Sequence, residues 1–376
     1  MQRHDEKTVI DNENSYQRDR DSPSWGSGLA WAKPEYKKAE IDWAGDFLAH
    51  LPPKDYIQRA GDVSRAYDIV NNWRSSHSFP LNTFQNGLRS FAIRVDRDYL
   101  IAQRIKRMPS IMDKLKRFPS MTLSQMQDLG GCRAILTDTK KVREVREQYR
   151  HSQMKHKLAR EKDYITRPKT SGYRGIHLIY RYHSDRTSTY EGLQIEVQLR
   201  SHSQHIWATA VETVGTLLRQ SLKSSQGTKE WLRFFSLMSS YIAMNEKAPI
   251  VPNTPPDKAT LLDELKSHAS SLQVPTKLQA YRIAIKNIQQ SVDGARYYLL
   301  EFYPNKESRV TGFKYRQLED AMKQYLETEK KLSQVGPGSE VVLVSVDSVG
   351  ALEAAYPSYF ADTDEFLKLL NNALSE

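Results

Sequence analysis

Two carboxylates and a dense run of cations are the residues of this 376-residue chain best suited to chemistry on phosphates. In RIKRMPSIMDKLKR, Arg104, Lys106, Arg107, Lys114, Lys116 and Arg117 surround a single acid, Asp113. Ile105, Met108, Ile111 and Leu115 are interleaved with them, so the run reads as a helical element with one basic face. Such a face suits bound phosphates, although a basic run can also be plain solvated surface. Asp128 stands just downstream, at the entrance to the apolar CRAILT. In LQIEVQLR a period of two sends Leu193, Ile195, Val197 and Leu199 to a core and Gln194, Glu196, Gln198 and Arg200 to the opposite face. That face is a polar floor with one carboxylate at its centre. Nucleotide-bound magnesium takes one or two protein carboxylates plus phosphate oxygens, and Glu196 with Asp128 could supply them. Spacing alone equally allows Asp128 to cap a turn and Glu196 to be a surface strand residue.

A third group lies in DYITRPKTSGYRGIH, where Pro168 and Gly172 bracket a loop. Lys169 can meet phosphate oxygens there as a point charge, and Tyr173 has a flat face that can stack on a base or simply pack the loop. His77, His177 and His205 are read first as hydrogen-bonded structural histidines, with His205 within reach of the Glu196 cleft. The sequence holds no GxxxxGK[ST] phosphate loop, no CxxC pair, no GxSxG elbow and no HExxH.

The elements that must position these groups can be read from periodicity. From about Pro34 to Leu100 the pattern is helical, broken at Pro80, and helical material continues through the basic run to Pro119. CRAILT reads as a buried strand, and KKVREVREQYRHSQMKHKLAREK as one or two solvated helices. GIHLIYRYH and LQIEVQLR alternate on either side of TSTYEG and form a hairpin. Helical periodicity returns in SQHIWATAVETVGTLLRQSL and WLRFFSLMSSYIAMN. The fold class expected is α/β (α+β), a mixed sheet flanked by helices, with a smaller C-terminal α/β domain. Residues 1–33 form a polar leader, 34–248 the main domain, 249–258 a proline-rich linker and 259–376 the second domain. That second domain is read as a helix near 259–273, strands in LQAYRIAIKN, ARYYLLEFY and VVLVSVDSV, and a helix in RQLEDAMKQYLETEKKL. The aromatics of AAYPSYFADTDEF serve either a docking surface or a small core.

Composition limits the function classes. A hydrophobic content of 39% supports real cores, and no apolar run approaches the ~20 residues that span a bilayer. The single cysteine, Cys132, leaves no internal disulfide and fits a reducing cytoplasm. The net charge of +10 points to polyanionic partners, nucleotides or nucleic acid, without choosing between them.

Taken in order, RIKRMPSIMDKLKR, DLGGCRAIL, DYITRPKTSGYRGIH and IEVQLRSHSQHIWA resemble the synthetase domain of the RelA/SpoT family over roughly residues 60 to 230. That resemblance implies a nucleotidyltransferase-like fold and transfer of pyrophosphate from ATP to the 3′ hydroxyl of GDP or GTP, with Mg2+ as cofactor. It implies Asp128 as metal ligand and Glu196 as metal ligand or base. It places Arg104 and Arg133 on the adenine of ATP, and Lys106, Lys114 and Arg117 on its phosphates with Ser110 close by. The acceptor purine would stack on Tyr173, with Lys169 near its phosphates and His177 supporting the loop. His205 stands where many small members carry asparagine, and ATAVETVG lacks a histidine often found after the glutamate, so the acceptor stays open. The resemblance equally admits toxic members that modify adenosine nucleotides or tRNA 3′ ends, restrained by a fused C-terminal domain until a protein trigger engages it. A non-catalytic RNA-binding module is a third reading, and a homo-oligomer is left open. The hydrolase HD site of the long members has no counterpart before the synthetase motifs, the one HD pair being His4 and Asp5 in the leader.

Overall fold

In the computed structural model, residues 31–217, 228–279, 295–302, 308–335, 340–345 and 359–376 are described. Three helices come first: α1 (Lys38–His50), α2 (Ala60–Ser76) and α3 (Ser78–Val95). Pro80 does not break a helix but lies in the first turn of α3, where its missing N–H has no intrahelical acceptor to lose; the chain breaks at His77 instead. The His77 ring is held as a structural histidine, its Nδ1 donating to the Trp73 carbonyl at 2.8 Å, and burial pushes its pKa down to about 4.

The sheet follows, as β1 (Leu100–Ile105), β2 (Gly130–Leu136), β3 (Lys157–Asp163), β4 (Ile176–Arg181) and β5 (Gln194–Ser201), in the order β1-β2-β5-β4-β3. Only the β2/β5 pair is parallel. Two expectations are corrected here. The basic run is not one helix: LIAQRI is a strand, and the helix α4 covers only Met108–Arg117. Ile101 and Ile105 are four residues apart, a spacing that fits a period of two as well as one of 3.6, and pairing with β2 decides for the strand. The polar stretch read as solvated helices is one helix, α5 (Thr139–Arg150), followed by the edge strand β3. KLAREKD has little intrinsic strand preference; the β4 ladder and ion pairs from Arg146 and Arg150 to Glu161 hold it.

The hairpin expectation holds, with β4 and β5 antiparallel and Ile179 opposite Glu196. The two faces of β5 divide as the alternation demands: Ile195, Val197 and Leu199 are fully buried against Phe84 and Leu88 of α3 and Val142 and Val145 of α5. Each such side chain contributes about 2 kcal/mol by leaving water. A one-residue slip would turn Glu196 into that core, so the apolar positions fix the register of the chemistry.

A second core joins α1, α2 and α4, and a third joins α6 (His202–Leu217), α7 (Lys229–Asn245), α8 (Lys258–Ser271) and the C-terminal helix Tyr359–Ser375. Residues 249–258 therefore connect helices that share one core, with Phe235 of α7 and Phe366 of the last helix 6.1 Å apart between ring centroids. The aromatic Phe366 is fully buried, which answers the core alternative for that residue. A three-stranded sheet, β7-β6-β8, is formed by β6 (Ala295–Phe302), β7 (Ser308–Lys314) and β8 (Glu340–Ser345), and it packs with the helix Leu318–Val335. β7 was not anticipated. The strand expected in LQAYRIAIKN falls mostly outside the described residues, as do residues 1–30 of the leader. Among the described residues, no helix is long and apolar enough to cross a membrane.

One buried acid ties the sheet to its helices. Asp96, at the end of α3, accepts from the Thr137 N–H at 2.7 Å and from Lys141 Nζ at 2.9 Å, at the joint between β2 and α5. Burial alone would raise its pKa, but the Thr137 N–H and the Lys141 ammonium outweigh it and hold the carboxyl below its ordinary 3.8. A depressed folded value means stability that is present above the ordinary value and lost as pH falls through the folded one. Asp96→Asn should lower the unfolding free energy by about 1–3 kcal/mol at neutral pH. Urea titrations of both proteins should show that gap closing as pH falls below 3.8.

Candidate active site

The polar face of the sheet is organised in rows. Arg104 of β1 is opposite Gly131 of β2, Gly131 is opposite Glu196 of β5, Glu196 is opposite Ile179 of β4, and Ile179 is opposite Arg160 of β3. The next row runs through Arg133, Gln198, His177 and Lys162. Gly131 presents no side chain between Arg104 and Glu196, which leaves the floor open on that side.

Glu196 is 13% exposed. Its Oε1 lies 2.7 Å from Nδ1 of His177, and its Oε2 accepts from Nε2 of Gln198 at 2.5 Å. Burial opposes ionisation, yet His177 first, then the Gln198 amide and Lys114, bring the pKa down to about 2. On His177 burial works downward, but the Tyr173 hydroxyl and the Glu196 carboxylate raise its pKa above the ordinary value. Asp128 stands before β2, clamped by Lys106 Nζ on Oδ2 and Lys114 Nζ on Oδ1, both at 2.8 Å. Burial would raise its pKa as well; the two lysines override it, against an opposing contribution from Glu196. The two carboxylates therefore feel each other through one cleft.

Phe118 and the cations Lys38, Lys114, Arg117, Arg160, Lys162 and Lys169 line a cavity of about 1120 Å³ that contains no carboxylate among its described lining residues. Lys162 is held below its ordinary pKa by burial, then by the charges of Arg160 and Lys169. A desolvated ammonium crowded by other cations gains most from an incoming anion, and phosphate is the anion this wall fits.

The loop between β3 and β4 carries Lys169 and Tyr173. Gly172 N–H donates to the Lys169 carbonyl at 2.9 Å, closing a turn with Gly172 at φ +88°, where a side chain would be strained. A Cβ there would also come within 2.7 Å of Trp207. The loop is fastened to α7: Ser239 Oγ donates to the Gly172 carbonyl at 2.6 Å, and Ser236 Oγ to that of Thr170 at 3.1 Å. Buried Arg174 donates to Ser239 Oγ at 3.1 Å and to the Pro249 carbonyl at 2.6 Å. Lys169 Nζ sits 4.5 Å from the Tyr164 ring and 5.1 Å from the Tyr173 ring.

The structure thus brings Lys106, Lys114 and Asp128 together, and Glu196, His177 and Tyr173 together, with Lys114 shared by both groups. Arg117 and Lys169 face the common cavity. Tyr173 is 6% exposed, with Arg200 5.0 Å from its ring centroid, so its face is covered in this conformation and not presented for stacking. His205, on α6, is buried with Nδ1 3.4 Å from Nη1 of Arg133. Arg104 and Ser110 are exposed, Ser110 in the first turn of α4. Sequence reading passed over Arg160 and Lys162, which a period of two would have paired on one face had β3 been recognised. It also gave Gln198 and Arg200 no role, although the alternation had already put them beside Glu196.

Asp128 and Glu196 are hard oxygen donors that share the charge of Lys114, and among the described residues no group of three or more metal-ligating side chains gathers. That donor set fits Mg2+ held largely by nucleotide phosphates, which needs one or two carboxylates and not a closed protein cage. Gly172→Ala should loosen the Lys169–Tyr173 loop by about 1–3 kcal/mol. Hydrogen exchange should report the loss over residues 164–175, with the β2/β5 ladder unchanged.

A family described as "Region found in RelA / SpoT proteins" matches residues 103–214. Two curated relatives are the GTP pyrophosphokinases YjbM and YwaC of Bacillus subtilis (strain 168). YjbM is 29% identical over 111 residues, covering 29% of this chain and 52% of the relative, and YwaC is 32% identical over 114 residues, covering 28% and 52%. The chain spans about half the length of the curated relatives it matches. Among solved structures, small alarmone synthetase 1 from Bacillus subtilis bound to its product pppGpp is 20% identical with a TM-score of 0.40, covering 46% of this chain and 89% of that one. The matched segment runs from β1 into α6 and holds both carboxylates and the loop, so the chain carries a RelA/SpoT region.

Proposed function

We propose that this chain is a pyrophosphokinase that moves the β,γ-pyrophosphate of ATP to the 3′ hydroxyl of GDP or GTP. The observation that carries the reading is that Asp128 and Glu196 both feel the charge of Lys114, which also lines the cation-walled cavity. The two curated relatives with GTP pyrophosphokinase in their names support the same reaction class.

In this mechanism the acceptor hydroxyl attacks the β-phosphorus of ATP. The new P–O bond forms as the bond between that phosphorus and the α,β-bridging oxygen breaks, and AMP leaves. Lys106 and Lys114, now held on Asp128, turn to the donor phosphates with Arg117, while Arg104 and Arg133 flank the adenine. Lys169 meets the acceptor's 5′ phosphates, and Arg160 and Lys162 extend that positive wall. Asp128 and Glu196 would hold Mg2+, which when bound offsets phosphate charge and polarises the β-phosphoryl group. Glu196, with a pKa of about 2, is always ionised near neutrality but is a weak base. Its part is to orient the hydroxyl and take up the proton only as the P–O bond forms. Tyr173 stacks on the acceptor purine once its ring face is uncovered.

The size of the cavity, about 1120 Å³, supports a second reading in which the acceptor is larger, such as a tRNA 3′ end. The test uses ATP labelled at the γ-phosphate, offered with GDP, GTP, ADP or bulk tRNA. Label on a guanosine nucleotide is expected; label on tRNA alone would move the assignment to the second reading, and RNA retention with no transfer would leave a binding module. Glu196→Gln should cost about a hundredfold or more in kcat with KM for ATP within about threefold. An unchanged kcat would remove Glu196 from the mechanism.

A further inference from the structure

Five side chains close a ring of hydrogen bonds beneath the cleft. Nη2 of Arg200 donates to the Tyr173 hydroxyl at 2.6 Å and to Oε1 of Gln198 at 3.1 Å. On one arm the Tyr173 hydroxyl lies 2.6 Å from Nε2 of His177, whose Nδ1 is 2.7 Å from Oε1 of Glu196. On the other arm Nε2 of Gln198 donates to Oε2 of Glu196 at 2.5 Å. The chemistry of the ends fixes the directions. A guanidinium only donates and a carboxylate only accepts, so Gln198 must turn its oxygen to Arg200 and its amide to Glu196. On the other arm His177 must present Nδ1–H to Glu196 whichever way it is protonated; a neutral ring accepts the phenol proton at Nε2, and a protonated ring donates from Nε2 to the tyrosine oxygen. Both arms therefore end in a donor on Glu196, Nδ1–H of His177 on one oxygen and the Gln198 amide on the other.

Arg200 is 3% exposed and lies at the base of the arrangement, on the same strand face as Glu196 and four residues beyond it. It does not reach the cleft itself. We propose that Arg200 is a positioning residue for Glu196, which fixes both carboxylate oxygens through the Tyr173–His177 arm and the Gln198 arm. The consequence for turnover rests on the pyrophosphokinase reading; the positioning itself does not. Under that reading Tyr173 has two separable parts: its ring serves the acceptor base, and its hydroxyl is a link in the hold on Glu196. The hydroxyl keeps its link to His177 while the ring face is uncovered for the base.

The experiment compares Arg200→Met, Arg200→Lys, Tyr173→Phe, Gln198→Met and the Tyr173→Phe/Gln198→Met double variant in the full chain. Tyr173→Phe and Gln198→Met should each lower kcat about tenfold and leave KM for both nucleotides within about twofold, because the ring and the cationic walls remain. The double variant should approach Arg200→Met, and adding Arg200→Met to it should cost less than about threefold more, since the arms are then already cut. Arg200→Lys should recover part of the loss, because one ammonium can donate to both acceptors. Full additivity of all three substitutions, or a rise in KM with kcat preserved, would overturn the proposal. Should Arg200→Met fail to fold, the double variant, which keeps Arg200, still decides. A crystal structure of the double variant reads the geometry without turnover: a displaced Glu196 carboxylate is expected, and an unmoved one overturns the positioning role. A wild-type chain that transfers nothing from ATP would sink the proposed function, while that crystal structure would still judge the ring.

Discussion

An ionised carboxylate sunk in a protein floor is the constraint on which the rest of this structure depends. Leaving water penalises Glu196, and a lone buried carboxylate would take up a proton and lose its use. The chain avoids this by giving each oxygen a donor and by placing Lys114 nearby, which brings the pKa to about 2 in spite of burial. Each donor comes from a different place in the chain, so β4, β5 and α4 must all be in position before the carboxylate is tolerated. Asp128 repeats the solution with two lysines, and the two acids repel each other across the cleft. The two lysines on Asp128 and the nearby Lys114 on Glu196 are what balance these charges in the structure.

The arrangement has a mechanical side. The sheet supplies a rigid floor because its other face is packed by α3 and α5, and Asp96 locks the end of α3 to the joint where β2 becomes α5. The loop with Lys169 and Tyr173 has no sheet pairing of its own. It is held by side chains reaching from α7 and by Arg174, whose pKa burial lowers to about 10 while Glu246 pulls upward. Glycine at 172 is what allows the loop to lie this close to Trp207 and Ser239.

Much of this was legible in the sequence, and for particular reasons. β5 announces itself because Leu193, Ile195, Val197 and Leu199 alternate without exception, and the same alternation places Glu196 on the polar face. The Asp128 and Glu196 pairing followed from residue type and from the order of four motifs. What failed was local. LIAQRI carries isoleucines at a spacing common to helix and strand, and KLAREKD has a solvated composition because it is an edge strand with exposed side chains. Both are decided by partners far away in sequence, β2 and β4. Missing β3 as a strand hid Arg160 and Lys162. The placement of His205 against Arg133 and the burial of Tyr173 depend on how α6 and α7 pack, which no local pattern encodes.

The core shared by the loop and the C-terminal helix bears on where the site ends. Tyr173 belongs to the same apolar cluster as Trp207, Phe235 and Phe366, so one wall of the cleft is continuous with residues near the end of the chain. Residues 103–214 contain every side chain assigned to chemistry, but α7 and the helices beyond it contain what holds the loop in place. Part of what positions the loop therefore lies beyond the matched segment, so the shape of this side of the site depends on how α7 and the C-terminal helix pack as well as on the short motifs.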